Sequence, residues 1–240
     1  MKKAYFNWST GKDSSLALYH ILQQKEYSVT QLVTTVNKDY ERVSMHGLRE
    51  ALLDAQVERL QLPLEKIYFP AEVTMSDYDE AMRKATQKLI EKDFQYGIFG
   101  DIFLEDLRKY REEKLQELGI TGVFPLWKQD TKALLKEFIS LGFKAITVCV
   151  NAKLLDESFV GRILDEDFIN DLPDTVDPCG ENGEFHTFTF DGPIFSSPID
   201  FTIGEKVLKS YVPSKKEENT CGSDNSSWDR AFWYCDLIPK

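Results

Sequence analysis

The first half of the sequence alternates between short apolar segments and longer segments whose apolar residues recur with helical spacing. Residues 29–36, VTQLVTTV, are rich in β-branched side chains, which is typical of a buried strand. Repeated β-then-α units of this length predict an α/β fold, in which a parallel sheet carries helices on both faces and binds ligands outside the carboxyl ends of its strands. The predicted strands are residues 4–8, 29–36, 66–69 and 96–100, and the predicted helices are residues 16–22, 48–59, 78–92 and 107–118.

The second half of the sequence changes character after a predicted helix at residues 132–141 and a predicted strand at residues 144–150. Short acidic helical pieces follow up to residue 171, and alternating β-like residues with Gly- and Pro-containing turns begin at Gly183. This pattern is typical of antiparallel hairpins and predicts a smaller α+β domain. We place the predicted domains at residues 1–125 and 126–240, and the polar stretch 214–227 is predicted to be a mobile loop.

Composition excludes several classes of function. The charge sum of −11 and the pI of about 4.9 disfavour a general nucleic-acid binder, because such proteins carry a basic surface. No apolar run approaches the roughly 18 residues that a membrane helix needs, and the N-terminus lacks the apolar core of a signal peptide. The four cysteines contain no C-x-x-C pair. We therefore expect a soluble, reduced, cytoplasmic protein without a membrane partner.

The strongest local motif is the polar loop S-T-G-K-D-S-S at residues 9–15, between the first predicted strand and the first predicted helix. Small residues let the backbone approach an anion, and the N–H groups and positive dipole end of the following helix favour phosphate. The hydroxyls of Ser9 and Ser14 can donate to phosphate oxygens, Lys12 adds positive charge, and Asp13 can hold Mg²⁺. An equally weighted alternative is that Ser9 or Asp13 only caps the helix. The loop is not a Walker A motif.

A second polar cluster lies late in the chain, where Glu181, Asn182 and Glu184 accompany Gly180 and Gly183. The glycines permit a tight turn close to a ligand. Two carboxylates within four residues can steer an ammonium ion or accept its proton. Spacing alone nevertheless favours a plain hairpin turn with solvated acids.

Four further residues lie near predicted strand ends or on the helix that follows. His46 can contact a nucleotide or transfer a proton, but a capping or surface histidine is the favoured alternative. Arg108 and Arg111 can clamp a phosphate or a carboxylate, or they belong to a solvated helix face. Asp101, at a predicted strand end, is a better functional candidate than either arginine.

Three motifs together resemble a known family. Ser9-x-Gly11-Lys12-Asp13-Ser14 is similar to the pyrophosphate loop S-G-G-x-D-S of N-type ATP pyrophosphatases, with the β-branched Thr10 where the pattern has a glycine. Residues 100–108, GDIFLEDLR, resemble the G-D-I…S-D-Y-Q-R segment of the diphthine–ammonia ligase family, and residues 179–187, CGENGEFHT, resemble its G-E-x-G-E-[YF]-x-T signature. With a P-L-W element at residues 125–127, the resemblance spans residues 9–187.

The resemblance implies an HUP-type sheet and an enzyme that uses ATP and Mg²⁺ to adenylate a carboxylate, which ammonia then converts to an amide. The carboxylate belongs to a modified elongation factor or to another acid, and a homo-oligomer is one option for the assembly. The implied catalytic residues are Lys12, Asp13 and Glu184, with Asp13 as the metal ligand. The implied nucleotide-binding residues are Ser9, Thr10, Gly11, Lys12, Asp13, Ser14, His46, Gly100 and Asp101, and the implied substrate-binding residues are Arg108, Gly180, Glu181, Asn182, Gly183, Glu184 and Thr187.

Three other functions are open at this point. The same adenylation chemistry can act on a different small acid, which a bacterial source would favour. A tRNA-modifying enzyme with a pyrophosphate loop is disfavoured by the −11 charge and by the missing cysteine pair. A nucleotide-binding regulatory module without turnover is distinguished by whether ATP is converted to AMP and pyrophosphate at all.

Overall fold

The computed structural model describes residues 1–44, 47–211 and 230–240, so the predicted site residue His46 and the predicted loop 214–227 lie outside the described residues. Strands and helices alternate through the first half, as the sequence predicts. The strands β3 and β6, which are two and three residues long, are absent from the sequence prediction. The strands are β1 (Lys2–Asn7), β2 (Tyr27–Asn37), β3 (Arg42–Val43), β4 (Leu64–Phe69), β5 (Tyr96–Ile98) and β6 (Thr121–Val123), and the helices are α1 (Lys12–Gln24), α2 (Glu50–Leu60), α3 (Met75–Ile90) and α4 (Glu105–Gln116).

These strands form one sheet in the order β3-β2-β1-β5-β6, with β4 also paired to β2. Every pairing is parallel except that of β2 with β3. Side chains alternate across β1, so Ala4, Phe6 and the following Trp8 join one buried apolar cluster while Tyr5 joins another. A parallel sheet that is buried on both faces is the result, and the predicted α/β class is confirmed.

The second half contains a four-stranded antiparallel sheet in the order β8-β7-β10-β9, as the alternating pattern predicts. Within the described ranges, the strands of the first sheet end by Val123 and those of the second sheet begin at Lys144. The boundary between residues 125 and 126 stays a prediction. The elements of this half are α5 (Thr131–Ser140), β7 (Lys144–Asn151), a 3-10 turn (Glu157–Phe159), α6 (Glu166–Asp171), β8 (Phe185–Asp191), β9 (Phe201–Tyr211) and β10 (Arg230–Pro239).

The two halves share a buried core. One apolar cluster runs from Phe6 and Leu18 in the first half to Phe138, Ile146 and Phe188 in the second. Burial of large apolar side chains from both halves stabilises their contact. In the described part of the chain, no helix combines the length and the apolar character that crossing a membrane requires.

Candidate active site

The loops that follow β1 and β5 meet at the carboxyl edge of the first sheet. The strand order reverses here, because β2 and β5 flank β1 on opposite sides, and such a reversal opens a crevice. Gly100 lets the two loops approach closely: a Cβ atom there would lie 3.0 Å from the Ser14 backbone nitrogen and 3.1 Å from the Asp13 carbonyl carbon.

A cavity of about 550 Å³ occupies this crevice, and we call it the phosphate cavity. Both halves of the chain contribute walls to it. These walls include Ser9, Gly11, Lys12, Asp13 and Ser14 from the loop after β1; Val33, Thr34 and Thr35 from β2; Gly100, Asp101 and Arg111; and Gly180, Glu181, Asn182, Gly183, Phe185, His186 and Thr187.

The helix α1 begins without a side-chain cap. Its N-cap residue is Gly11, whose carbonyl accepts hydrogen bonds from the hydroxyls of Ser14 (3.0 Å) and Ser15 (2.9 Å). The Ser9 hydroxyl donates to the Ser14 hydroxyl over 3.1 Å. The alternative in which Ser9 or Asp13 serves only to cap the helix is therefore wrong, and the positive end of the helix dipole opens on the phosphate cavity.

Thr10 adopts a left-handed backbone conformation, with φ at 74°, where the pyrophosphate-loop pattern has a glycine. Its side chain is fully buried, and its hydroxyl has no hydrogen-bond partner among the described residues. A residue with a Cβ atom costs roughly 1–2 kcal/mol in this conformation. The Thr10 carbonyl accepts hydrogen bonds from the Thr189 N–H (3.0 Å) and from the Gln56 amide (2.9 Å), so neighbouring segments hold the strained residue in place.

Gln56, on α2, is fully buried and joins three segments that are distant in sequence. Its Nε2 donates to the carbonyls of Thr10 (2.9 Å) and Thr189 (2.6 Å), and its Oε1 accepts from the Trp8 indole nitrogen (2.8 Å). A buried polar group with all of its partners fixes the geometry around it. Gln56 therefore ties the loop after β1 to β8. The sequence analysis missed this residue, because one glutamine on an amphipathic helix gives no signal.

Lys12 is buried beside an acidic partner. Its Nζ lies 2.7 and 2.8 Å from the two carboxylate oxygens of Asp13, contacts the carbonyl of Cys179 and stands 5.4 Å from the centroid of the Phe185 ring. Burial opposes the charged form of the amine, but the attraction of Asp13 outweighs it, so the pKa of Lys12 is raised. Lys12 thus presents a permanent positive charge in the loop. Its backbone N–H donates to the Thr187 hydroxyl over 3.0 Å.

Asp177 and Glu184 build the turn that carries Glu181. Asp177 Oδ2 accepts hydrogen bonds from the backbone N–H groups of Cys179 (3.1 Å) and Glu181 (2.9 Å). Glu184 Oε1 accepts from the Asp177 N–H (3.1 Å) and from the Asn182 amide (3.0 Å). Glu184 is buried behind the wall of the phosphate cavity, and its second carboxylate oxygen has no partner within the described residues. The contacts of Glu184 are those of a brace for this turn.

Glycine is required at Gly180 in the same turn. The residue has φ at 68°, and a Cβ atom would lie 2.9 Å from both the carbonyl oxygen and a ring carbon of Phe185. No other residue fits this position without moving the backbone. The turn therefore brings Glu181 to the cavity in one fixed conformation.

Glu181 reaches from this turn to the loop after β5. Its Oε1 accepts hydrogen bonds from the backbone N–H groups of Ile102 (2.7 Å) and Phe103 (3.4 Å). Burial raises the pKa of Glu181 to about 7, against the effect of the Ile102 hydrogen bond and with a further contribution from nearby Asp13. A carboxyl group with a pKa near neutrality can accept or give a proton at neutral pH.

Asp101 and Arg111 form an ion pair at the wall, with 3.1 Å between Oδ2 and Nε. The Arg111 guanidinium also lies 4.7 Å from the centroid of the Phe99 ring. Burial raises the pKa of Asp101 in spite of this arginine. The helix α4 thus contributes Arg111 to the phosphate cavity.

Arg108 lies elsewhere on the same helix. Its Nε donates to Glu112 over 2.8 Å, and its guanidinium stacks on the rings of Phe124 (4.7 Å) and Trp127 (4.5 Å). The substrate-binding role of Arg108 stays a prediction, and the structure places Arg111 rather than Arg108 in the cavity wall.

His186 is a further wall residue for which the sequence analysis assigned no role. Burial lowers the pKa of His186 to about 4, and the charge of Lys12 acts in the same direction. The imidazole is therefore neutral at neutral pH, and its position two residues past Glu184 in the late motif is the signal that could have indicated it.

Most of the predicted site residues come together, although the two motifs are some 170 positions apart. Thr10 and Glu184 lie directly behind the cavity wall, and His46 is outside the described residues. A polar loop at the reversal point of a parallel sheet, with a buried lysine and serine hydroxyls, defines a nucleotide-binding α/β protein of the pyrophosphate-loop class. Profiles of the diphthamide synthase N-terminal and C-terminal domains match residues 1–122 and 130–217. The chain therefore belongs to the diphthamide synthase family.

Three relatives are each named diphthine–ammonia ligase. The human protein is 29% identical over an alignment of 189 residues that covers 71% of this chain and 68% of that protein. The protein of Danio rerio is 30% identical over 173 residues, covering 66% of this chain and 68% of that protein. The protein of Schizosaccharomyces pombe is 27% identical over 255 residues, covering 97% of this chain and 41% of that protein. These matches do not favour a different acid or a regulatory module.

Proposed function

We propose that this chain is an ATP-dependent ligase that forms a C–N bond by converting the carboxylate of diphthine, carried on an elongation factor, into an amide with ammonia. The family match over most of the chain and the names of the relatives support this function. The observation that carries the proposal is the convergence of the loop after β1, the loop after β5 and the late Gly-Glu turn on one cavity.

Amide formation from a free carboxylate needs activation, because the carboxylate has no adequate leaving group. A carboxylate oxygen attacks the α-phosphorus of ATP, the bond to the β-phosphate oxygen breaks, and pyrophosphate leaves with that electron pair. Ammonia then attacks the acyl carbon of the adenylate, AMP leaves with the electrons of the acyl–oxygen bond, and the surplus proton passes to a base. The site must exclude water, which would hydrolyse the adenylate.

The loop at residues 9–14 is assigned to the ATP phosphates. The N-terminal end of α1 faces the phosphate oxygens, and the hydroxyls of Ser9 and Ser14 donate to these oxygens once they turn from Ser14 and from the Gly11 carbonyl. Lys12, held protonated by Asp13, faces the charge that develops on the leaving pyrophosphate. Residues 33–35 of β2 wall the cavity on the side of β1 away from β5, and we assign the adenosine to that side.

Mg²⁺ is assigned to the acidic side chains beside the phosphates. This ion prefers oxygen ligands and is usually held by one or two carboxylates together with phosphate oxygens and water. Asp13 and Asp101 both line the cavity and supply carboxylate oxygens of the kind that this ion prefers. In the structure these carboxylates face Lys12 and Arg111, and Asp101 Oδ2 lies 3.1 Å from Arg111 Nε without a hydrogen bond. Among the described residues, no group of three or more His, Cys, Asp or Glu side chains could hold a metal ion. When bound, the ion neutralises phosphate charge.

We assign to Glu181 the role of the base that accepts the surplus proton of the incoming ammonia. This residue lines the cavity with a pKa of about 7, whereas Glu184 lies behind the wall and braces the turn. At neutral pH about half of such a group is deprotonated, and this carboxylate form can take up a proton without a large cost. The catalytic and substrate-binding roles predicted for Glu184 stay predictions, and its contacts in the structure are hydrogen bonds from the Asp177 N–H and the Asn182 amide.

The test uses the protein with ATP, MgCl₂, ammonium chloride and the elongation factor that carries diphthine. We expect release of AMP and pyrophosphate, and conversion of the carboxylate to an amide that mass spectrometry detects. Glu181→Gln is expected to release pyrophosphate normally while forming amide about 10²-fold more slowly. Glu113→Gln, on the exposed face of α4, is the matched control and is expected to behave as the wild type. A wild-type protein that forms neither AMP nor pyrophosphate with all substrates present rules out the proposed function.

A further inference from the structure

A second cavity of about 410 Å³ lies between α3 and α4, on the face of the first sheet that Tyr5 occupies. It exists because these helices cover the sheet incompletely. Only Ala85, Thr86 and Leu89 of α3 are buried, and Leu115 is the one buried residue of α4. The volume is within the range of small-molecule binding sites.

This second cavity adjoins the phosphate cavity. Asn7, Tyr78, Met82, Phe99 and Arg111 line both, so the two spaces share these walls. Asn7 ends β1 and Phe99 follows β5, which places the junction at the reversal point of the sheet. A ligand that extends through this junction reaches the loop that we assign to the ATP phosphates.

The walls of the second cavity are aromatic, aliphatic and charge-balanced. The basic side chains already face acids: Lys114 lies 2.7 Å from Asp79, and Arg83 lies 2.8 Å from Glu80. A phosphate group would have to compete with these acids for the basic groups, so the walls do not select for nucleotide. Aromatic and aliphatic walls instead pack against methylene groups, methyl groups and rings. The aromatic and aliphatic wall residues are Tyr5, Tyr78, Met82, Phe99, Tyr110, Leu115 and Leu118.

Arg111 is the one basic side chain, among the described residues, that lines both cavities. It pairs with Asp101 through Nε, and a guanidinium group carries further N–H donors that suit a carboxylate. The adenosine is assigned to residues 33–35 of β2, which line the phosphate cavity but not the second cavity. The acceptor and the nucleotide therefore have separate approaches to the phosphate loop.

We propose that the second cavity is the acceptor pocket of the ligase. The carbon stem that bears the reacting carboxylate lies between α3 and α4, and Arg111 guides the carboxylate into the phosphate cavity. This inference rests on the proposed function and adds to it the surface through which the acceptor enters. The mouth, at exposed Ser76 and Glu117, admits a side chain from a protein substrate.

The test uses substitutions that narrow the mouth of the second cavity from each side. Ser76→Trp on α3 and Glu117→Trp just after α4 place a large ring at exposed positions, where the cost to folding is small. Gln87→Trp on α3 and Gln116→Trp on α4 are matched controls, because both residues are exposed and lie outside the cavity walls. Each variant is assayed for thermal stability, for the KM of ATP, and for turnover and binding of the diphthine-bearing elongation factor.

We expect both mouth variants to raise the acceptor KM by about tenfold or more, with the KM of ATP within about twofold of the wild type and both controls unchanged. Mouth variants with a wild-type acceptor KM overturn the proposal, and so does a selective loss of ATP binding, which would assign the cavity to the nucleotide. If the wild type shows no turnover, the proposed function fails. In that case the binding of the elongation factor tests the pocket on its own: weaker binding to the mouth variants than to the controls supports the pocket, and equal binding overturns it.

Discussion

Replacement of Gln56 by leucine tests whether the buried hydrogen bonds of this side chain hold the phosphate loop in place. The indole N–H of Trp8 loses its acceptor in a fully buried setting, which costs about 1–3 kcal/mol. The carbonyls of Thr10 and Thr189 each lose one donor, at about 1 kcal/mol apiece, and the Thr10 carbonyl keeps its bond from the Thr189 N–H. Burial of the leucine returns about 1 kcal/mol, so we expect a net loss of about 3 kcal/mol in the free energy of unfolding.

A loss of this size lowers the melting temperature by on the order of 10 °C in a chain of this length. Equilibrium urea denaturation and thermal melting followed by circular dichroism measure it. Titration calorimetry with ATP measures the second effect, an affinity reduced by about tenfold or more, because Thr10 is no longer held in its left-handed conformation.

The control for this variant is Gln31→Leu. Gln31 also donates from Nε2 to two carbonyls, those of Leu32 (3.2 Å) and Pro63 (3.0 Å), but it is half-buried and water can replace its bonds. We expect a change within about 0.5 kcal/mol and unaltered ATP affinity. If Gln56→Leu melts like Gln31→Leu and binds ATP like the wild type, the buried network does not hold the loop.

Three further predictions concern the site itself. Gly100→Ala is expected to lower ATP affinity by about tenfold or more in calorimetry, since its Cβ would press on the Asp13 and Ser14 backbone; an unchanged affinity would show that the loops part without cost. Thr10→Val is expected to raise the free energy of unfolding by about 1 kcal/mol in urea, because it removes a buried hydroxyl that has no partner in the described structure; a decrease would contradict this. Since the pKa of Glu181 is raised in the folded state, its protonated form stabilises the fold fully below about pH 4.5, and this stabilisation is lost as the pH rises through about 7. The stability of the wild type relative to Glu181→Gln should therefore fall by on the order of 3 kcal/mol across that interval, and parallel pH profiles would refute it.

The sequence predicts those parts of the molecule that depend on local pattern. Alternating β and α segments predict the parallel sheet, and the predicted strand ends at Trp8 and Gly100 indicate where its ligand edge lies. The two polar motifs could be paired only through their resemblance to a family, because nothing local in residues 180–187 indicates contact with residues 9–14. The structure brings most of the motif residues together as walls of one cavity, and the functional roles assigned to them stay predictions.

Long-range geometry accounts for what the sequence does not predict. Arg108 and Arg111 are equivalent in pattern, and only the packing of α4 turns one toward Phe124 and the other toward Asp101. The second cavity arises from the incomplete cover of the sheet by α3 and α4, which no spacing rule describes.

Two hydrogen bonds join the phosphate loop to β8 in the second half of the chain. The Thr189 N–H donates to the Thr10 carbonyl, and the Lys12 N–H donates to the Thr187 hydroxyl. A ligand that binds this loop only while β8 is docked would stabilise that docking, so with ATP assigned to the loop we expect ATP to oppose separation of the two halves. For the same reason, we expect a hybrid that joins the first half of this chain to the second half of a relative to bind nucleotide with an affinity that differs from that of each parent. The strand β8 is therefore a place where the second half of such proteins can tune the nucleotide site without touching the nucleotide.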